Sequence, residues 1–424
     1  MTGSATDDPS VRGVRLRVAA SAVNHRALQL FGRVVPRLAG GRMPWLTLDR
    51  YERPALPGPA WARLRPILSG ICGTDLSLLT GRASAVLSPF ASFPAVLGHE
   101  VVGAVEEAGA DAGVAVGQRV VLDPVISCHV RGLEPCEACV GGAARFCRRA
   151  ADGPMAPGML IGYCHDLPGG WSESMLAHAS QLHAVPSTLP DEVALLVEPF
   201  AVALHAVLAE PPEDGNRVLV VGGGSVGLCT LAALRLAAPG AEVAIVVRHD
   251  AQADLASRLG AHHVVRDQDG RGAERAAVTL VGALPHRPLV GPSVLVGGFE
   301  QVYDCVGSRS SLAASLRVAS PGGRVVLVGG PAEIERLDLT LAWTRELRVH
   351  GTYVYGREAS VAGAPHTFDH AMGLLAAHPE LPLGELVTHR FGLEDWRQAL
   401  ATALGRRAHG SLKVAFAPGM DAHT

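Results

Sequence analysis

Residues 70–76 read Gly-Ile-Cys-Gly-Thr-Asp-Leu, which places a thiol, a hydroxyl and a carboxylate close together at Cys72, Thr74 and Asp75. Gly70 and Gly73 on either side let the backbone and the thiol be approached closely. A thiolate beside a hydroxyl and an acid suits a metal ligand with its own proton relay and outer partner. Gly98-His99-Glu100 follows, then Glu198-Pro199 much further on. A catalytic zinc takes about three protein ligands of S, N and O type and keeps one position open. Cys72, His99 and a glutamate, either Glu100 or Glu198, supply that set. A lone cysteine is often only a small buried hydrophobe. Here the histidine and the acids sit on short loops rather than along apolar faces, which favours a metal. Asp75 is the expected partner of His99, because a ligating imidazole usually gives its other N–H to a carboxylate. A turn or helix cap is a compatible role for the same residue.

A second cluster holds Cys128, Cys136, Cys139 and Cys147 in the spacing C-x7-C-x2-C-x7-C. Four thiolates on one loop match a closed tetrahedral structural zinc site. A third signal is Gly222-Gly-Gly224-Ser225-Val226-Gly227. It directly follows the apolar run Arg217–Val221 and precedes a helical stretch, Leu228–Ala238. Strand, glycine turn and helix in that order cradle a dinucleotide pyrophosphate. The helix start adds free N–H groups and partial positive charge. NAD sites place an acid at the end of the next strand. Here that end reads Val247-Arg248-His249, with no acid before Asp250. Arg248 suits a 2′-phosphate, so NADP is favoured over NAD. Two further apolar runs end at Val306 and just before Gly329, and both residues are expected at the cofactor.

The segments GICGTDL, GHE and EPFAVALHA, in this order and followed by the glycine turn, resemble the zinc-dependent medium-chain alcohol and polyol dehydrogenases. The likeness runs from about residue 60 to about 416. It implies an α/β chain: a GroES-like, partly open β-barrel catalytic domain plus a doubly wound Rossmann nucleotide-binding domain. The expected division is an N-terminal extension over 1–58, the catalytic domain over 59–200 with its zinc lobe at 128–147, the NAD(P)-binding domain over 201–345, and a C-terminal return over 346–424. The cleft between the domains would hold substrate and nicotinamide. The resemblance also implies a proton relay through Thr74. Many relatives continue it with a histidine three residues on, where this chain has Ser77. In the cysteine lobe Leu133 stands where relatives carry their first cysteine, so Cys128 must reach in from upstream. The implied reaction passes hydride between NAD(P) and a secondary alcohol, a polyol or the matching ketone, with zinc acidifying the alcohol. The alternative on the same scaffold is a zinc-free NADPH quinone or enone reductase. Against that alternative stand Cys72, His99 and Glu198, which such an enzyme does not need.

Composition sets the outer limits. A chain of 424 residues with 48% hydrophobic residues has a real core. Lys+Arg 37 against Asp+Glu 40 leaves a net charge of −3, which argues against nucleic acid as a partner. No long uncharged apolar run predicts a membrane span. Lys413 is the only lysine, which excludes Schiff-base chemistry elsewhere in the chain. The clustered cysteines and the lack of a secretory apolar stretch point to a reducing compartment, the cytoplasm. The expected partners are a small alcohol or ketone and further copies of the chain, as a homodimer or homotetramer. Residues 268–298 are rich in Gly and Pro and read as a surface insertion; His409 reads as a surface residue.

Overall fold

The computed structural model describes residues 10–17, 43 and 45–420. The chain divides into two compact units, Met1–Glu198 with Val387–Thr424, and Pro199–Leu386.

The first unit is built from short strands. β1 (Ser10–Leu16) pairs antiparallel with β2 (Leu46–Glu52) and with β4 (Ala95–Val96). β1 and β2 lie within the expected N-terminal extension 1–58. Val14 and Leu16 are buried on one face of β1 and Val11 on the other. The larger sheet has seven strands, most of them antiparallel. β3 (Trp61–Gly70) is its centre, flanked by β5 (Val101–Ala108) and, beyond that, β6 (Arg119–Leu122). β7 (Met175–His178) pairs with β3, and β8 (Leu182–Ala184) closes the path beside β6. Trp171 and Phe416, both fully buried, meet with ring centroids 5.1 Å apart.

The second unit is a six-stranded, all-parallel sheet. Its strands are β9 (Arg217–Val221), β10 (Glu242–Val247), β11 (His263–Arg266), β14 (Phe299–Asp304), β15 (Ala319–Leu327) and β16 (Arg348–Gly351). β12 (Leu284–His286) and β13 (Val294–Val296) form a separate hairpin. The order β11-β10-β9-β14-β15-β16 reverses direction between β9 and β14, the doubly wound arrangement with its ligand crevice at the reversal. The near-continuous valine and isoleucine of β9 and β10 reflect burial on both faces.

Two placements differ from the sequence expectation. The segment 268–298 holds the helix Gly272–Val281 as well as the hairpin, and its Ala276 and Ala277 are fully buried. The return to the first unit starts at Val387 rather than at 346, because β16 adds to the parallel sheet. There β17 (Val387–Phe391) runs parallel to β18 (Lys413–Phe416), and β18 pairs with the end of β3 through Ala415–Gly70 and Phe416–Ser69.

Candidate active site

β3 delivers Cys72, and two backbone bonds fix where it ends. Gly70 N–H donates to Glu100 O at 2.9 Å, and Ile71 N–H to Val414 O at 2.9 Å. Cys72 then takes extended backbone angles and caps the helix Gly73–Leu79. Its N–H donates to Asp75 Oδ2 at 2.9 Å, so the acid closes the first turn from inside. The other oxygen, Oδ1, lies 3.4 Å from His99 Nδ1. That separation is a charge contact; His99 Nδ1 has no aligned hydrogen-bond acceptor and is buried. Asp75 therefore caps the helix and stands beside His99 at the same time.

Ligand atoms of Cys72, His99 and Glu100 all lie within 4.8 Å of one another. Sulfur, nitrogen and oxygen donors at that spacing fit a catalytic zinc. Burial opposes an imidazolium here, yet the Asp75 carboxylate and the Cys72 thiol outweigh it and hold the His99 pKa well above its ordinary value. Burial likewise opposes the Asp75 carboxylate, but His99, Tyr163 and the Cys72 N–H together keep its pKa below the usual range. Glu198 is buried in the first turn of the helix Val197–Ala209.

Glu100 carries a feature that spacing did not reveal. Both of its oxygens accept from Lys413 Nζ, at 2.7 and 2.6 Å. Glu100 is 1% exposed and Lys413 3%. Burial alone would lower the ammonium pKa; the charges of Glu100 and Cys72 turn the shift upward. Gly70 makes room for this pair, since a Cβ there would stand 1.9 Å from Glu100 Oε2. The only signal for Lys413 was its being the sole lysine.

Tyr163 is the second residue that sequence reasoning passed over, and nothing in its glycine-rich surroundings marked it. Its hydroxyl lies 2.6 Å from Asp75 Oδ1 and 3.2 Å from Thr74 Oγ1. Its ring sits beside His99 at 5.5 Å between centroids. Burial and the adjacent Asp75 push the phenol pKa well up, so it stays protonated. Thr74 is exposed on the first turn of its helix. Ser77 stands one turn further on, where its carbonyl accepts from Arg82 and Ala83.

The four lobe cysteines converge, with their sulfurs within 4.8 Å of one another. Cys128 reaches the lobe through a tight turn in which Leu133 N–H donates to Cys128 O at 2.9 Å. Backbone N–H donation from Arg148 leads the effects that pull the Cys136 thiol down to about 6. Burial pushes the neighbouring Cys139 and Cys147 thiols the other way. The buried Arg131 side chain donates to the carbonyls of Asp152, Met155, Ala150, Ala156 and Gly158, which ties the following loop down.

In the second unit Gly222 ends β9 at φ +108°, a left-handed angle that favours glycine. Gly224 caps the helix Ser225–Ala237. A Cβ on Gly227 would stand 1.8 Å from Gly222 O, and one on Gly222 would stand 2.5 Å from Val306 Cγ2. Gly329 packs equally tightly, 2.5 Å from Val306 N by the same measure. Val306 follows β14, is 45% exposed and lies against Gly222. The cradle fits a pyrophosphate approaching bare backbone. Arg248 is exposed past the end of β10, while Asp250 pairs with Arg266.

Two family descriptions match: Alcohol dehydrogenase GroES-like domain over residues 58–187, and Zinc-binding dehydrogenase over residues 225–377. A zinc-type alcohol dehydrogenase-like protein of Haemophilus influenzae is 30% identical over 285 residues, 67% of this chain and 73% of its own. L-idonate 5-dehydrogenase of Vitis vinifera is 27% identical over 379 residues, 88% of this chain and 91% of its own. The solved structure of a zinc-binding dehydrogenase of Sinorhizobium meliloti, bound to NADP, is 27% identical with a TM-score of 0.69. The match covers 96% of this chain and 99% of that one. The chain belongs to the zinc-dependent medium-chain dehydrogenases, with a GroES-like domain and a Rossmann domain. It is an oxidoreductase that uses zinc and a nicotinamide nucleotide.

Proposed function

We propose that this enzyme interconverts a secondary alcohol or polyol with its ketone and prefers NADP. The observation that carries the reading is the convergence of Cys72, His99 and Glu100 from separate stretches of chain. Zinc held by Cys72, His99 and a glutamate oxygen, from Glu100 or Glu198, supplies the Lewis acidity that lowers an alcohol's pKa. Asp75 takes the Nδ1 side of His99, which leaves Nε2 for the metal. Thr74 relays the alcohol proton outward, giving up its own hydroxyl hydrogen as it takes the alcohol's. Cys128, Cys136, Cys139 and Cys147 hold a second, structural zinc. Gly222, Gly224, Ser225, Val226 and Gly227 cradle the pyrophosphate, and Val306 and Gly329 flank it. Arg248 at the end of β10 supports a 2′-phosphate, since Asp250 is engaged by Arg266. A ligand set with glutamate in place of a second cysteine supports a polar, polyol-type substrate.

The enzyme works as a homodimer or homotetramer. Support comes from β16, a sheet edge whose four residues are all exposed, and from the hairpin, where Leu284 is 61% and Val296 57% exposed. No helix among the described residues is long and apolar enough to cross a membrane. Eight cysteines free of disulfides support the cytoplasm. A screen of secondary alcohols, polyols and ketones with both nucleotides tests the reading. Zinc-dependent turnover of a polyol, faster with NADP, is expected. Turnover confined to quinones or enones, and indifferent to the metal at Cys72, would replace it with the zinc-free reductase.

A further inference from the structure

Resting on the NADP reading above, we infer that Arg266 is a second residue for the 2′-phosphate, kept in reserve by Asp250 until the phosphate takes that acid's place. The glycine turn fixes where the ribose end of the crevice lies. A Cβ on Gly223, in the middle of that turn, would stand 2.6 Å from Val247 Cγ1 and 3.1 Å from Gln252 Cβ. The last residue of β10 and the first turn of the helix Asp250–Arg258 therefore border the pyrophosphate cradle. In a doubly wound sheet the ribose on the adenine side carries its 2′ substituent there. Val247 is level with Arg266 on β11, and the Arg266 guanidinium reaches forward to Asp250 at the start of that helix. Gln252 Oε1 accepts from the N–H groups of Arg248 and His249 at 3.0 and 3.2 Å, which holds the strand-to-helix turn in place.

Arg248 and Arg266 thus stand at this end, and each faces a carboxylate. The two carboxylates differ in their freedom to leave. Asp267 lies 3.8 Å from Arg248 Nε, and its side chain is only 11% exposed. It is pinned at both ends: Oδ1 accepts from Gly272 N–H at 2.9 Å, and its own N–H donates to Val247 O at 2.7 Å. Asp267 therefore stays when a ligand arrives and offsets part of the Arg248 charge. Asp250, by contrast, has a side chain 96% exposed and is held by Arg266. An ion pair so open to water is weak and easily exchanged. The guanidinium also has an unused donor, since Arg266 Nε is buried and makes no hydrogen bond among the described residues. A phosphate brings nearly two charges and three acceptor oxygens to that planar fork, more than a carboxylate does. It therefore draws Arg266 away from Asp250, whereas a bare 2′-hydroxyl leaves the pair closed. Engaged in this way, Asp250 is not the acid that grips a ribose diol.

Isothermal titration of the full-length, zinc-loaded protein with 2′,5′-ADP and with 5′-AMP separates the phosphate from the rest of the nucleotide. Arg266→Gln is expected to weaken 2′,5′-ADP about tenfold or more, as suits the loss of a charge-assisted contact, and to leave 5′-AMP within about twofold. If the glutamine variant does not fold, Arg266→Lys takes its place with a smaller loss of about threefold, because it keeps the charge and loses the fork. Asp250→Asn is expected to tighten 2′,5′-ADP about threefold and to leave 5′-AMP unchanged. A loss in Arg266→Gln that falls equally on both probes overturns the proposal. So does weaker binding of 5′-AMP by Asp250→Asn, which would make Asp250 the ribose acid. If Arg248→Gln abolishes the preference for 2′,5′-ADP and Arg266→Gln does not touch it, the NADP reading stands and Arg266 has no part in it. If the wild type shows no preference for 2′,5′-ADP, the NADP reading fails. A preference that appears in Asp250→Asn then upholds the reserve, and its absence there overturns that as well.

Discussion

Lys413 shows most clearly what one residue contributes. A chain with Lys+Arg 37 uses lysine once, at a position 3% exposed, against a carboxylate 1% exposed. A buried pair gains little over an apolar replacement of both partners, but removing one partner strands a charge, at a cost of about 3–5 kcal/mol. Lys413→Met is therefore expected to lower unfolding free energy by about that amount in urea titration, and Glu100→Gln with Lys413→Met to recover most of it. A single variant as stable as the wild type would show that the pair is solvated. Cys72, Thr74, Asp75, His99 and Glu100 were legible because their types sit on short glycine-punctuated loops. Lys413 and Tyr163 were not legible as site residues. What brings them there is the pairing of β18 with β3 and the placing of the 160s loop beside Asp75, and neither leaves a mark on local sequence.

Among the elements, β9 and β14 are joined at their starts by an ion pair. Glu300 accepts from Arg217 N–H at 2.9 Å and from Arg217 Nη2 at 2.8 Å. Burial opposes the carboxylate, yet Arg217 holds the Glu300 pKa below its usual value. A depressed folded pKa adds stability above the unfolded value, about 4.3, and loses it as pH falls through the folded one. Both side chains are more than a third exposed, so the contribution is at most about 1 kcal/mol. Glu300→Gln is expected to lower stability at pH 7 by that much and to leave it nearly unchanged near pH 3, as read by denaturation at both values. An equal loss at both would point to packing instead. The parallel strands β9, β14 and β15 were legible as apolar runs that run into glycine, and β10 as an apolar run that ends at Arg248. β16 was assigned to the wrong unit because Leu-Arg-Val-His-Gly carries no periodicity that tells one sheet's edge from another's. The helix Gly272–Val281 was hidden inside a segment whose flanking Gly and Pro read as loop.

The molecule as a whole is a discontinuous first unit interrupted by a continuous second one. Local patterns do not encode that insertion; only the family resemblance pointed to it, and the pairing of β18 with β3 realises it. The separate metal duties follow from the same plan. The lobe cysteines come from one loop and close on themselves, whereas Cys72, His99 and Glu100 meet only when β3 and β5 are paired. The lobe should therefore keep its metal when the other centre is broken. Zinc content per chain, measured by atomic emission on wild type and on Cys72→Ala, tests the central claim most directly. The account predicts about two zinc ions in the wild type and about one in the variant, with alcohol oxidation lost and nucleotide binding kept. A Cys72→Ala protein that retains both its full zinc content and its turnover would contradict it.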